Sequence, residues 1–298
     1  MEYVNVIIVV IGIYVILASS FNFAIGYGGL LSIAHPAFFA IGAYVAGIIS
    51  RDLGWSGLVS IPIGALVAFC CSVVVSLPAL RISGDYLIIA SIGFQLGLIE
   101  LLKNLSITGG AGGLSNIPAF LVPQIGSGGY AILVVVVALL VVLLLRHLAH
   151  GPYGRAIAAM RDDEVAYAGL GRAPMWLKLW VIGLASGIAG FAGGLYALFF
   201  RFLAPEQFDV MQSNVILTMV IVGGMRTTWG PVVGAVLLEI LPQAITFLNL
   251  PPSILGPMQG LIFTSLVLVF MFSRPGGLIP AGDLWRPGDR PRVVAGGR

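Results

Sequence analysis

Residues 4–44 read VNVIIVVIGIYVILASSFNFAIGYGGLLSIAHPAFFAIGAY. The first 22 of them are long and apolar enough to cross a hydrocarbon core of about 30 Å, which takes roughly 20 helical residues. The run is then interrupted by paired glycines, Ser32, His35 and Pro36. A proline has no N–H to donate and is favoured in the first turn of a helix, and the residue before it is driven toward an extended backbone. The stretch therefore predicts a membrane helix, an irregular turn ending at His35, and a new helix from Pro36. That second helix has only about 15 residues before Arg51 and Asp52, short of an untilted span.

The rest of the chain has the same character. Of its 298 residues 59% are hydrophobic and 9% charged, with a mean hydropathy of +1.05, whereas soluble domains carry charge on about a quarter of their residues. Apolar segments near 4–25, 30–50, 57–79, 85–103, 130–148, 176–200, 213–225, 230–248 and 254–272 predict an all-α, polytopic transmembrane helical bundle of about eight to ten segments, some broken or short. Residues 1–280 read as one transmembrane domain, and the Pro- and Gly-rich residues 281–298 as a disordered tail. Glu2, with no basic stretch before the first apolar run, favours a retained first helix over a cleaved signal peptide. Cys70 and Cys71 are adjacent within an apolar run and read as buried small hydrophobes.

Basic residues orient the bundle, because loops rich in Lys and Arg stay cytoplasmic. The clearest such loop is 146–178, with Arg146, Arg155, Arg161, Arg172 and Lys178. Placing it inside puts Arg81 near the cytoplasm, loops 104–129 and 201–212 outside, the N-terminus outside, and the tail from Ser273 with its arginines inside. Loop 104–129, rich in Gly, Ser and Pro, reads as irregular backbone. Within the basic loop, YGRAIAAMRDDEVAYAGLG at 153–171 favours an amphipathic helix, with Ile157 and Met160 on one side. Its mixed signs suit docking on a protein better than on anionic lipid.

The opening motif has an echo. GGLLSIAHP at 28–36 matches GGMRTTWGP at 223–231 without a gap, aligning Gly28, Gly29, Ser32 and Pro36 with Gly223, Gly224, Thr227 and Pro231. Paired helix breaks in two halves of a membrane protein point to a transport pathway, since freed backbone groups are tolerated only against protein or a water-filled cavity. Two cytoplasmic loops leading into ordinary spans would read the same way.

Few side chains could carry chemistry. Glu100 lies three residues before Lys103, the spacing of an edge ion pair on a helix. Glu239 sits nearer the middle of a segment and is the stronger candidate for a buried contact. Ser32, His35, Gln95, Asn214, Thr218 and Glu239 are candidates for lining a pathway, while Gln and Asn also serve as glue between helices. Gly183, Gly187, Gly190 and Gly194 lie along one helix face and predict close packing, within the chain or with a second subunit. No catalytic residues, metal-ligand set or nucleic-acid-binding patch emerges. Neither lysine follows a glycine-rich phosphate loop, so the chain has no ATP site of its own kind.

Taken in order, GYGGLLSIAHPAFFAIGAY, GDYLIIASIGFQLGLIELLKN with TGGAGGLSNIP, YGRAIAAMRDDEVAYAGLG, GGMRTTWGPVVGAVLLEILP and SRPGGLIP resemble the M-type (LivM-like) permease subunits of branched-chain amino-acid ABC importers, from Phe21 to Pro280. The resemblance implies a non-enzymatic transport subunit in the bacterial inner membrane. It also implies an H-type second permease, two cytoplasmic ATPase subunits that bind ATP and Mg²⁺, and an extracytoplasmic substrate-binding protein. By the same resemblance, 153–171 is the loop that seats in an ATPase cleft, with Arg155, Arg161, Asp162, Asp163, Glu164 and Gly171 as its residues. An ion-coupled secondary transporter of small polar solutes is the rival expectation; the shortage of buried carboxylates weighs against it.

Overall fold

The computed structural model describes residues 2–82, 84–246, 264–265, 268 and 277–280. Among them are ten α-helices: α1 Glu2–Asn22, α2 His35–Asp52, α3 Gly57–Ile82, α4 Gly84–Asn104, α5 Val122–His150, α6 Pro152–Asp162, α7 Glu164–Gly169, α8 Pro174–Phe200, α9 Val210–Gly223 and α10 Gly230–Thr246. The expected all-α bundle is present. Five helices are long and apolar enough to cross a membrane: Glu2–Tyr27, Gly57–Leu80, Tyr86–Asn104, Val122–His150 and Pro174–Phe200. Helices α9 and α10 are shorter apolar elements. The segment expected at 254–272, the Arg81 side chain, and the tail 281–298 with its arginines lie outside the described residues.

Helices α2, α3 and α8 pack against one another as the densest layer, and α1 lies between α5, α8 and α10. Glycines set the first of these contacts. A Cβ on Gly42 of α2 would stand 2.1 Å from the Gly190 carbonyl oxygen of α8, and one on Gly64 of α3 would stand 2.6 Å from that of Gly42. The expected glycine face of α8 is thus spent within the chain, where small residues let backbones approach.

Contacts between the loops fix which helix ends share a side. Leu114 and Leu203 exchange both backbone hydrogen bonds, at 2.8 and 3.0 Å, and Arg201 Nε donates to the Ile117 carbonyl at 3.1 Å. Arg51 at the end of α2 donates to the Ile107 carbonyl at 3.2 Å. At this same end Asn5 of α1 donates to Ser127 of α5. The N-terminus therefore lies with loops 105–121 and 201–209, opposite the basic loop, as the charge rule predicts.

Three expectations need correction. Cys70 is exposed on α3 and Cys71 only half-buried, since their stretch of α3 is turned partly outward in this chain. The irregular stretch ends earlier than residue 129, because α5 begins at Val122 and accommodates its break at Gly126, whose φ of 72° suits glycine alone. The connection before it is packed rather than loose, with Leu114 and Ile117 fully buried. Likewise 153–171 is not one helix: Asp163 is extended (φ −152°, ψ 99°) and separates α6 from α7.

Candidate functional site

The breaks foreseen at Pro36 and Pro231 are both present. Helix α2 starts at His35 with Pro36 in its first turn, and α10 starts at Gly230 with Pro231 in the same place. Each preceding turn needs a positive φ at its second glycine, +67° at Gly29 and 119° at Gly224. Thr227, the partner of Ser32 in the echo, holds its turn by donating to the Gly224 carbonyl at 2.8 Å and accepting from the Gly230 N–H at 2.9 Å. The start of α10 is thereby capped as serine and threonine cap helices. Gly223 packs so tightly that a Cβ would meet the Gly230 oxygen at 2.0 Å.

The first break is entered through a π turn, Phe23–Tyr27, which widens the end of α1. Such turns release a carbonyl from the regular ladder and recur at functional sites. Here Arg161 of α6 reaches in, its Nη1 donating to the Gly26 carbonyl at 2.5 Å. Gly29 admits the arginine stem, since a Cβ there would lie 2.9 Å from Arg161 Cγ. Burial of the guanidinium, and then the nearby Arg226, push Arg161 below the usual arginine range, with Asp162 opposing.

Asn22 then ties the first break to the second. Its Nδ2 donates to the Thr227 carbonyl at 2.9 Å, and its Oδ1 accepts from the Arg226 N–H at 3.0 Å. Residues 277–280 close over the same place, with Leu278 and Ile279 N–H groups donating to the Val222 and Gly223 carbonyls. The motifs GYGGL, RDDE and GGMRTTWGP and residues 277–280, far apart in sequence, thus meet at one junction.

A second layer lies deeper. Ile33, just before α2, donates to Ser91 Oγ of α4 at 3.0 Å and accepts from Ser213 Oγ of α9 at 2.9 Å. Gln95 is fully buried; its Nε2 donates to the carbonyls of Phe208 and Asp209, and its Oε1 lies 3.0 Å from Ser213 Oγ, sharing that hydroxyl's one proton with the Ile33 carbonyl. His35 is buried, with Nε2 2.9 Å from Ser20 Oγ and its ring against Phe21. Asp209 caps α9 by accepting from the Gln212 N–H at 3.1 Å. Ser91 and Gln95 lie near the middle of the 21-residue α4. Both α2 and α9 therefore begin part-way across the bundle, with their freed backbone groups answered by side chains, as membrane depth requires.

The remaining expected residues are distributed as follows. Asn214 is exposed and Thr218 and Ser32 are half-buried, with Asn214 and Thr218 one turn apart on the outer face of α9. Glu239 is half-buried on α10, which packs against α1. Gly28 and Pro36 are buried in the first break, as are Gly223, Gly224 and Pro231 in the second. Glu100 and Lys103 form the expected edge pair at 3.5 Å.

On the basic loop, Ile157 and Met160 are buried, and Arg155, Asp162 and Asp163 are exposed. Asp163 caps α7 by accepting from the Ala166 N–H at 2.9 Å, and Glu164 pairs with Lys178 of α8 at 2.6 Å. Gly171 ends the unit in the left-handed region at φ +77°, open to solvent, the usual glycine stop of a helix. In this arrangement a short surface helix pair is bonded, through Arg161, to the broken end of α1.

Residues 3–272 match the family model described as the branched-chain amino acid transport system permease component. The chain belongs to this family. The permease is 32% identical over 295 residues to the high-affinity branched-chain amino acid transport system permease protein LivM of Escherichia coli K12 and, to the same extent, of Salmonella typhimurium LT2; the match covers 90% of this chain and 68% of each relative. It is 26% identical over 340 residues to a probable branched-chain amino acid transport permease protein LivM of Methanocaldococcus jannaschii, covering 98% of both. No solved structure matches. The resemblance carried by the five motifs is thus confirmed at the level of the family, and a multi-pass membrane permease is the result.

The sequence reading of this permease missed Asn22, Gly26, Ser20, Ser213 and Tyr14. Asn22 carried a visible signal, an amide in the last turn of a strongly apolar helix, which in a membrane needs a partner. The others give no sign without knowledge of which helices meet.

Proposed function

We propose that this permease is the membrane-spanning subunit of an ATP-driven importer in a bacterial inner membrane, passing branched-chain amino acids or related small amino acids and amides. In this reading it pairs with an H-type permease. Two cytoplasmic ATPase subunits bind the ATP and Mg²⁺, and an extracytoplasmic binding protein delivers the substrate. The observation that carries the reading is the α6–α7 pair, a compact mixed-charge unit outside the spans whose Arg161 is bonded to the broken end of α1.

Closure of the ATPases displaces α6–α7, with Arg155, Asp162, Asp163 and Glu164 on the docking side and Gly171 allowing the sharp exit into α8. Arg161 passes the displacement to Gly26, and Asn22 passes it to the second break. The substrate moves along the face where the two permeases meet. Ser32, Asn214 and Thr218 are at that face, which suits polar groups that lipid would not. His35 and Gln95 hold the half-helices in place, and Glu239 stands behind them beside Tyr14.

Affinity purification from membranes, followed by uptake in reconstituted vesicles, tests this. The tagged permease is expected to bring down an ATPase, and Arg161→Glu and Gly171→Trp are expected to abolish uptake. Purification without any ATPase, together with unchanged uptake in both variants, would refute the coupling role.

A further inference from the structure

A cavity of about 200 Å³ opens between α1, α2, α8 and the start of α9. A single water needs only about 10–15 Å³ of such space, so this one is sized for an organic solute. Val10, Ile13, Phe39 and Phe208 supply apolar walls, and Tyr196 adds an aromatic edge. Tyr14 and Gln212 also line it and hydrogen-bond to each other, Gln212 Nε2 donating to the Tyr14 hydroxyl. Gln207, a further lining residue, is exposed, so the cavity communicates with the end of the bundle that carries loops 105–121 and 201–209. Further along α1 and α9, Ile16, Leu17, Ile216 and Val220 are fully buried.

This chemistry is uneven in an informative way. Five apolar or aromatic walls and a few polar tips are what a small amphiphile needs, since pockets gain affinity from apolar lining and orientation from a few placed polar groups. The polar groups that line the cavity, the Tyr14 hydroxyl and the side-chain amides of Gln207 and Gln212, offer oxygen acceptors to an ammonium group. The Tyr14–Gln212 bond spans from α1 to α9, so a solute that takes over either partner loosens the contact between the helix that Arg161 grips and the helix that leads to the second break.

We propose that this cavity is a substrate station inside the single permease, distinct from the face shared with a second subunit. It takes the branched aliphatic side chain of an amino acid against Phe39, Tyr196 and Phe208, with the ammonium turned toward Tyr14 and Gln212. The station rests on the transport reading above and names where in this chain the solute pauses before the inner half opens.

The test uses the complete transporter, with its cognate binding protein, in vesicles supplied with ATP and labelled leucine. Val10→Trp fills the cavity and is expected to lower leucine uptake by about tenfold or more in complexes that assemble, whereas Val135→Trp on the outward face of α5 is expected to change it by less than about twofold. As a readout that does not depend on turnover, Val10→Cys is placed in a chain with Cys70 and Cys71 replaced by alanine. Leucine is expected to slow its labelling by a small methanethiosulfonate at least about fivefold. Wild-type uptake in an assembled, ATP-hydrolysing Val10→Trp complex overturns the station. So does unprotected Val10→Cys, which also decides the matter should Val10→Trp fail to assemble. Absence of ATP-dependent uptake in the wild type overturns instead the transport reading on which the station rests.

Discussion

Arg161 Nη1 and the Gly26 carbonyl oxygen lie 2.5 Å apart, a charge-assisted hydrogen bond between a surface helix and the π turn that ends α1. The two residues are 135 positions apart in sequence. Hydrogen bonds to charged groups contribute about 1.5–3 kcal/mol, and this one is shielded by partial burial. It links the basic loop to the first helix break, and its loss has a defined expected effect. Arg161→Ala is expected to leave the fold intact but cut ATP-dependent uptake by about tenfold. Arg161→Lys, which keeps the charge but has a different reach, is expected to recover part of it. Uptake and coupled ATP hydrolysis in reconstituted vesicles measure this.

Asn22 makes two hydrogen bonds to the second break, one as donor and one as acceptor. Asn22→Leu removes both partners from buried backbone groups and is expected to lower stability by about 1–3 kcal/mol per unsatisfied group. Asn22→Asp keeps the acceptor for the Arg226 N–H but loses the donor to Thr227, so it is expected to fall between. Thermal unfolding in detergent, read alongside uptake, separates a loss of stability from a loss of coupling.

The glycine contact between α2 and α8 is purely steric. Gly42→Ala places a methyl group 2.1 Å from the Gly190 oxygen, and because both sides are backbone the helices must part. Overpacking of this kind costs about 1–3 kcal/mol. Gly93→Ala on α4, where a Cβ meets nothing within 4 Å, is the matched control and is expected to leave the isolated chain unchanged. Comparing the two unfolding temperatures checks it.

The Asp163 cap decides whether the basic loop is one helix or two. Asp163→Ala leaves the Ala166 N–H without its acceptor, and loss of such a cap costs about 0.5–2 kcal/mol. Hydrogen exchange at residues 164–169 is expected to rise in this variant while that of α6, anchored by Ile157 and Met160, stays slow. Unchanged exchange at 164–169 would assign the bend to another cause.

The bundle was legible because membrane helices announce themselves by length and hydropathy, and the turns at Pro36 and Pro231 because proline and glycine act locally. The pairing of those turns with Arg161 was not. Nothing in GYGGL or RDDE says that one carbonyl in the first meets a guanidinium in the second; that depends on which helices pack together. The bend at Asp163 was hidden for the opposite reason, since an amphipathic run of helix formers reads as continuous until a cap proves stronger. Gln95 was seen as a polar residue in an apolar run, yet only the structure shows its amide spent on the Phe208 and Asp209 carbonyls at the head of α9.

The most direct test of an ATP-driven permease compares two energy sources in one preparation. The assembled complex is reconstituted with its binding protein, ATP is enclosed on the ATPase side, and ionophores collapse every ion gradient. Leucine uptake is expected to continue at its initial rate under ionophores and to stop when ATP is replaced by a non-hydrolysable analogue. Uptake that ceases with the gradients while ATP remains, and that is indifferent to the analogue, would contradict it.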